Sequence, residues 1–431
     1  MRFFKLILWS GIFLILSATE ASASINLEEC VAKAEKNYPL IQKYDLLEAT
    51  KEIDLSEINK SWLPGLNVYA QGTVQNIVPS FPSQLTGIIN QMGQSIKGLS
   101  KLQYKIGVDL NQTIWDGGSS KARREVTQVN SEVQQAALDV QLYSVRERVE
   151  NIYFAILLIE AQIERNNETI ALINSNIEKL QSMVKNGVAL KSDVDMLEAQ
   201  ALTLKQTIRE AKAAEKGYRE MLSIYIGEEI GNEKLTTPSS KYSIIKSNRP
   251  ELSLFNKRIL ASALMNKLYD TSLMPKIGLF AQAYYGYPGF NYFQSMMNRD
   301  LSFNVLAGVK VSWNIGSFYN RKNNQGKSRI NALEAENDRN VFLFNSKIQV
   351  SSELNAIKGI EEVMKDDAKI IELRTNVRKT AESQLKNGVI DATDLLTKIT
   401  DENIAHLNAK YHEIKLLQNI YKLKYTLNDY E

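Results

Sequence analysis

Two stretches decide how this chain folds: "VKNGVALKSDV" from Val184 to Val194 and "LKNGVIDATDL" from Leu385 to Leu395. Both read Lys-Asn-Gly-Val and carry an aspartate six residues after the glycine, at Asp193 and Asp394. Asn-Gly is a stop signal, because glycine enters the left-handed backbone region that ends a helix. Before the first stop, neither Gly nor Pro occurs between Gly118 and Gly187. A helix over residues 119–186 would be about 100 Å long at ~1.5 Å per residue, well past the usual length of a globular helix. Its apolar residues step by three and four. Ala122, Val126, Val129, Val133, Ala136, Val140 and Tyr143 form one stripe, and Val145, Val149, Ile152, Ile156, Ile159, Ile163, Ile170, Ile173, Ile177, Leu180 and Val184 the next, with the polar Asn166 taking the step between Ile163 and Ile170. After the stop, Leu190, Val194, Leu197, Ala201, Leu204, Ile208 and Ala211 continue, with Tyr218, Leu222 and Tyr225 still in phase. Such spacing predicts a supercoiled antiparallel hairpin with its tip at Asn186-Gly187-Val188. A second hairpin, with a looser stripe, is expected over 321–387 and 393–427, its tip at Asn387-Gly388-Val389.

The hairpin is one part of a larger repeat. "NYPLI" at Asn37–Ile41 matches "NRPEL" at Asn248–Leu252, and "LPGLNVYAQ" from Leu63 matches "MPKIGLFAQ" from Met274, both 211 residues apart. "GVDLNQTI" from Gly107 matches "GVKVSWNI" from Gly308 at 201, the offset the two tips keep. The chain therefore reads as a leader (1–23), a first repeat (24–226), a linker (227–250) and a second repeat (251–431).

Between opening helix and hairpin, each repeat writes two alternating segments. Leu66, Val68, Ala70 and Val74 oppose Asn67, Tyr69, Gln71 and Thr73; Tyr104, Ile106, Val108, Leu110 and Ile114 oppose Lys105, Asp109, Asn111 and Thr113. The second repeat gives Ile277 to Tyr285, then Phe303 to Trp313, where Asn304, Lys310 and Ser312 face the other way. Each segment has the length of a bilayer-crossing strand, and aromatic residues such as Trp62, Tyr104, Trp115, Tyr285, Tyr287, Phe303 and Trp313 gather near the ends. Four strands cannot close a barrel alone, and unpaired edges cannot face lipid. Closure would need further copies of the chain, and the pattern alone leaves two, three or four copies open. A soluble coiled-coil rod or adaptor, with the strands packed on protein, is the rival reading.

Composition excludes other classes. The net charge is +3 with no basic run of footprint length, which argues against nucleic-acid binding. One cysteine, Cys30, and two histidines that do not share a helix face write no metal or redox site. No phosphate-binding or dinucleotide motif occurs, and neither an enzyme nor a cofactor is expected. At the start, Arg2 and Lys5, the apolar "LILWSGIFLIL" and "ASA" at 21–23 form a secretory leader, with cleavage expected after Ala23. No later segment is a transmembrane helix. Gly117-Gly118 is expected to turn strand into helix. The long loop Val78–Gln103 is expected outside the cell.

"INLEECVAKAEKNYPLI" (Ile25–Ile41), "QTIWDGGSSKARRE" (Gln112–Glu125) and the two Gly-x-x-x-x-x-Asp turns resemble the TolC family of outer-membrane efflux proteins. That resemblance implies a mainly helical α+β fold. A homotrimer would give one twelve-stranded barrel in outer-membrane lipid above a periplasmic tunnel of helical hairpins. It further implies a channel-tunnel serving tripartite efflux or type I secretion. A periplasmic adaptor (membrane fusion protein) would meet Asn186, Gly187, Val188, Asn387, Gly388 and Val389 and link the duct to an inner-membrane transporter. The family's tips close the tunnel with acids, which maps onto Asp394 and, in the first repeat, Asp193. This chain carries Thr397 where a second acid is common and Ile390 where an arginine is, so a gate here would rest on Asp394. Three such carboxylates about one axis would repel and favour a bound proton or cation. The nature of the cargo is not written in the sequence.

Overall fold

The computed structural model describes residues 25–93, 96, 98–231, 233–243 and 247–430. The expected leader lies outside them. Among the described residues the elements follow the duplicated order. In the first repeat they are α1 (Leu27–Asn37), α2 (Gln42–Lys60), β1 (Gly65–Val74), α3 (Ser83–Gln91), β2 (Leu102–Trp115), α4 (Ser119–Lys185) and α5 (Lys191–Ile226). The second repeat gives α6 (Pro250–Thr271), β3 (Lys276–Tyr287), α7 (Tyr292–Asn298), β4 (Ser302–Ser312), α8 (Arg321–Lys386) and α9 (Ala392–Leu427). The expected mainly helical fold with four strands is what forms. Departures are small: β4 stops at Ser312, so Trp313 leaves the strand, and its indole N–H donates to the Leu273 carbonyl at 2.9 Å.

The chain packs as two compact units that cut across both repeats. One holds residues 42–140 and 250–343; the other holds residues up to 41, 141–249 and those from 344 onward. The first is the sheet unit. Its four strands run antiparallel in the order β1-β2-β3-β4. Its helices are tied side to side: Lys267 pairs with Glu125 at 2.6 Å, Lys257 with Glu132, and the Tyr44 hydroxyl donates to Asp139. Gly117 and Gly118, with φ of +71° and +85°, make the expected turn from β2 into α4.

The second unit holds the hairpin tips, two larger apolar cores and, besides them, a small cluster of Ile163 with Ile208 and Ala211. The larger core joins Leu27, Val31 and Ala34 of α1 to Val149, Tyr153 and Ile156 of α4, Leu222 of α5 and Ile420 and Leu423 of α9. The segment after α5 is strapped onto it. Ile230 and Leu235 are buried there, Ile25 bridges Leu235, and the Tyr153 hydroxyl lies 2.8 and 2.7 Å from the carbonyls of Ile25 and Thr236. The smaller core lies near the tips and takes Ile173, Ile177 and Leu180 from α4, Val194 and Leu197 from α5, Leu385 from α8 and Leu395 and Ile399 from α9. Most stripe residues are thus interior, as the spacing predicts. Two depart: Leu190 is exposed because it is the extended N-cap of α5, and Tyr218 is also exposed.

The helices of this unit also meet through polar side chains. Glu402 accepts from Arg378 Nε and from the Thr375 hydroxyl, both at 2.7 Å, and Asn403 accepts from Thr169 at 2.7 Å. Asn176 donates to Glu382 at 3.2 Å.

Beside the larger core, Glu150 is only 4% exposed, with its Oε1 buried and without a hydrogen-bond partner. Burial pushes its carboxyl from 4.5 up to about 8, Tyr430 and Arg146 opposing the rise and Glu28 and Glu147 adding to it. The folded chain therefore holds a proton that the unfolded chain releases above about pH 4.5. Stability should fall between about pH 4.5 and 8, by at most ~1.4 kcal/mol per pH unit from this group. Glu150→Gln should flatten that slope in thermal unfolding series. An unchanged slope would place the titration elsewhere.

Candidate functional site

The register of the sheet sorts its two faces into a mainly apolar and a mainly polar one. On one face the cross-strand rows read Leu66–Leu110–Ala281–Ala307, Val68–Val108–Ala283–Val305 and Ala70–Ile106–Tyr285–Phe303. On the other they read Asn67–Asp109–Gln282–Leu306, Tyr69–Gly107–Tyr284–Asn304 and Gln71–Lys105–Gly286–Ser302. The apolar face is uncovered: Leu66 is 67% exposed, Val68 71% and Phe303 71%. A contiguous apolar patch of this kind on an exposed sheet marks a surface meant for lipid or protein. Strand lengths of 10, 14, 12 and 11 residues reach or exceed what a tilted bilayer crossing needs. β1 pairs only with β2 and β4 only with β3, so each outer edge leaves a row of backbone groups open.

At the strand ends, the β1–β2 and β3–β4 loops share a small core of Leu99, Tyr287 and Met296 with Val78, Phe81 and Ile96 around it. The Ser100 N–H donates to the Tyr287 hydroxyl at 2.8 Å. The sequence reading missed the short helices α3 and α7 in these loops.

The two tips are built alike. Gly187 and Gly388 take φ of +73° and +69°. In each, the glycine N–H donates three residues back, to Val184 and Leu385 at 3.0 Å. The next residue, Val188 or Val389, donates five back, to Met183 or Gln384 at 2.9 Å, closing a Schellman cap. Val188 and Val389 stand out as knobs, 62% and 68% exposed, and Asn186 and Asn387 are exposed beside them.

The return helices start differently. Asp193 reaches back to accept the Leu190 N–H at 3.1 Å. In the second tip Asp391 is the N-cap and accepts the Asp394 N–H at 2.9 Å, so the backbone of Asp394 is held while its carboxylate is exposed. Asp193, Asp391 and Asp394 line one cleft together with Val188 and Val389. The structure thus brings Gly187, Val188 and Asp193 of the first turn to one cleft with Gly388, Val389 and Asp394 of the second, while Asn186 and Asn387 do not line it. Asp391 is the functional neighbour that sequence reading passed over, although an acid three residues before Asp394 at a helix start is a capping signal.

Residues 33–225, which run from α1 through both strands and the first tip, match the model of a family described as outer membrane efflux protein. This stretch of the chain is thus similar to the outer membrane efflux protein family. Solved structures agree in fold. The chain is similar to the outer membrane protein VceC of Vibrio cholerae, at TM-score 0.67 and 12% identity, over 93% of this chain and 95% of that one. It is similar to the outer membrane channel CmeC of Campylobacter jejuni, at 0.64 and 14%, over 94% and 87%. The MtrE outer membrane channel of Neisseria gonorrhoeae, solved in an open state, gives 0.64 and 14%, over 93% and 88%. No curated protein sequence matches. CmeC and MtrE are described as outer membrane channels, and VceC as an outer membrane protein. Among the described residues no helix is long and apolar enough to cross a membrane.

Proposed function

We propose that three copies of this chain close one twelve-stranded barrel in the outer membrane and form the exit duct of a tripartite efflux or type I secretion system. The observation that carries this reading is the four-stranded sheet, apolar and uncovered on one face and open at both edges. Such a sheet is unstable in lipid until other copies take up its edges. The leader 1–23 delivers the chain to the periplasm. The tips face the periplasm, where Val188 and Val389, with Asn186, Gly187, Asn387 and Gly388, meet an adaptor linked to an inner-membrane transporter. Asp394, seconded by Asp193, forms the acidic gate. Two similar tips per chain give a three-fold ring six docking points.

Fractionation with alkaline extraction tests the reading first. Retention in the outer membrane, migration as an oligomer and conductance in planar bilayers are the expected results. Release into the soluble fraction would overturn the duct and leave a periplasmic rod or adaptor. The gate is tested separately: Asp394→Ala should change the profile of conductance against voltage in planar bilayers. A profile identical to that of the unaltered chain would remove Asp394 from the gate.

A further inference from the structure

The face of the sheet opposite the apolar one carries a charge pattern that the duct reading leaves unused. Its formal charges are Lys105, Lys276 and Lys310 against Asp109 alone, which leaves +2 on each chain. Among the described residues none of the three lysines makes a salt bridge. Lys105, the fourth residue of β2, is instead held by aromatic rings, its Nζ lying 5.5 Å from the Tyr69 ring centroid and 5.3 Å from that of Tyr284. Ring faces attract an ammonium group through their quadrupoles without cancelling its charge.

The arrangement is built from the backbone outward. Tyr69 and Tyr284 both register against Gly107, two residues along from Lys105 on the same face. A Cβ at Gly107 would come within 2.7 Å of the Ala283 carbonyl and of Tyr284 Cβ, and within 2.9 Å of the Tyr69 hydroxyl. Glycine is what lets both tyrosines close over this strand. On the far side Gln282 Nε2 donates to the Tyr69 hydroxyl at 3.0 Å and to Asp109 at 2.9 Å, which pins one ring and holds the only acid on a neutral partner four residues from Lys105. Lysine is thus fixed and left positive.

We infer that the inner face of the barrel is an anion-attracting filter centred on Lys105 between Tyr69 and Tyr284, with Lys310 as its second charge, and that it favours anionic over cationic solutes in the final stretch of the duct. The inference rests on the duct reading, since only a closed barrel turns this face into a lumen. In a water-filled passage with low-dielectric walls repeated lysines reinforce one another, and salt weakens them.

The test uses the full-length protein in planar bilayers of zwitterionic lipid, with inorganic tripolyphosphate as the probe. Added on the loop side, tripolyphosphate should block the current at low salt, and molar KCl should relieve the block. Lys105→Gln with Lys310→Gln should weaken the block about tenfold or more, the scale of losing close charge attractions, and leave conductance in molar KCl unchanged. Lys105→Arg should retain the block. Block of equal strength from both sides, or block unaltered by the double substitution in a conducting channel, would overturn the filter and leave the duct standing. A protein that stays in the membrane but never conducts would overturn the duct, and the filter with it.

Discussion

Val108→Arg should leave the chain unable to hold its place in the outer membrane. Val108 sits in the cross-strand row with Val68, Ala283 and Val305, on the uncovered apolar face. An arginine near the bilayer midplane on the lipid face of a barrel costs about 2–4 kcal/mol, and every copy in a ring would carry it. The expected result is release on alkaline extraction and loss of the oligomer on native gels. Asn67→Arg is the matched control. Asn67 registers against Asp109 on the opposite face, where an arginine gains an opposite charge across the strands. Both variants retained equally would mean that the apolar face packs on protein.

Arg378→Met should have the second largest effect, in the unit that holds the hairpin tips. Glu402 is 4% exposed and is held by Arg378 Nε and the Thr375 hydroxyl. Burial alone would push its carboxyl up. Hydrogen bonds from Arg378 and Thr375, with the Arg378 charge, outweigh that and hold it below its ordinary value. Removing the guanidinium strands a buried carboxylate, a loss of about 3–5 kcal/mol, while Arg378→Met with Glu402→Met should recover most of it. The pH dependence should also reverse. With Arg378 present, Glu402 contributes stability above the ordinary carboxylate range, and that contribution fades as pH falls through its lowered folded value. Without Arg378, acid should stabilise the region by neutralising Glu402. Hydrogen exchange of peptides spanning residues 370–405, at acidic and neutral pH, reads both effects. Equal protection in the single and double variants would show that the pair is not coupled.

Much of this architecture was legible because its signals are local. The strands announce themselves by period two, from Leu66 to Val74 and again in β2, β3 and β4, and the registers preserve the division of faces that alternation predicts. The tips were legible because a left-handed glycine is written the same way twice. What escaped depends on short or distant contacts. α3 and α7, of 9 and 7 residues, are too short to show helical period within Gly- and Pro-bearing loops. Leu190 fits the stripe by spacing, but as an N-cap its extended backbone takes it out of helical phase. Arg378 and Glu402 stand 24 residues apart on two helices, and nothing in either neighbourhood announces their meeting. The cluster at Lys105 gathers side chains from three strands, so the alternation gave its face but not its grouping.

The two open edges of the sheet also bear on inheritance. If the barrel is complete only when several copies have joined, a faulty copy that still pairs along one edge will be drawn into rings with sound copies and spoil them. Damage of that kind should be dominant in a cell making both forms. A copy that fails before pairing is simply left out, and its defect should be recessive.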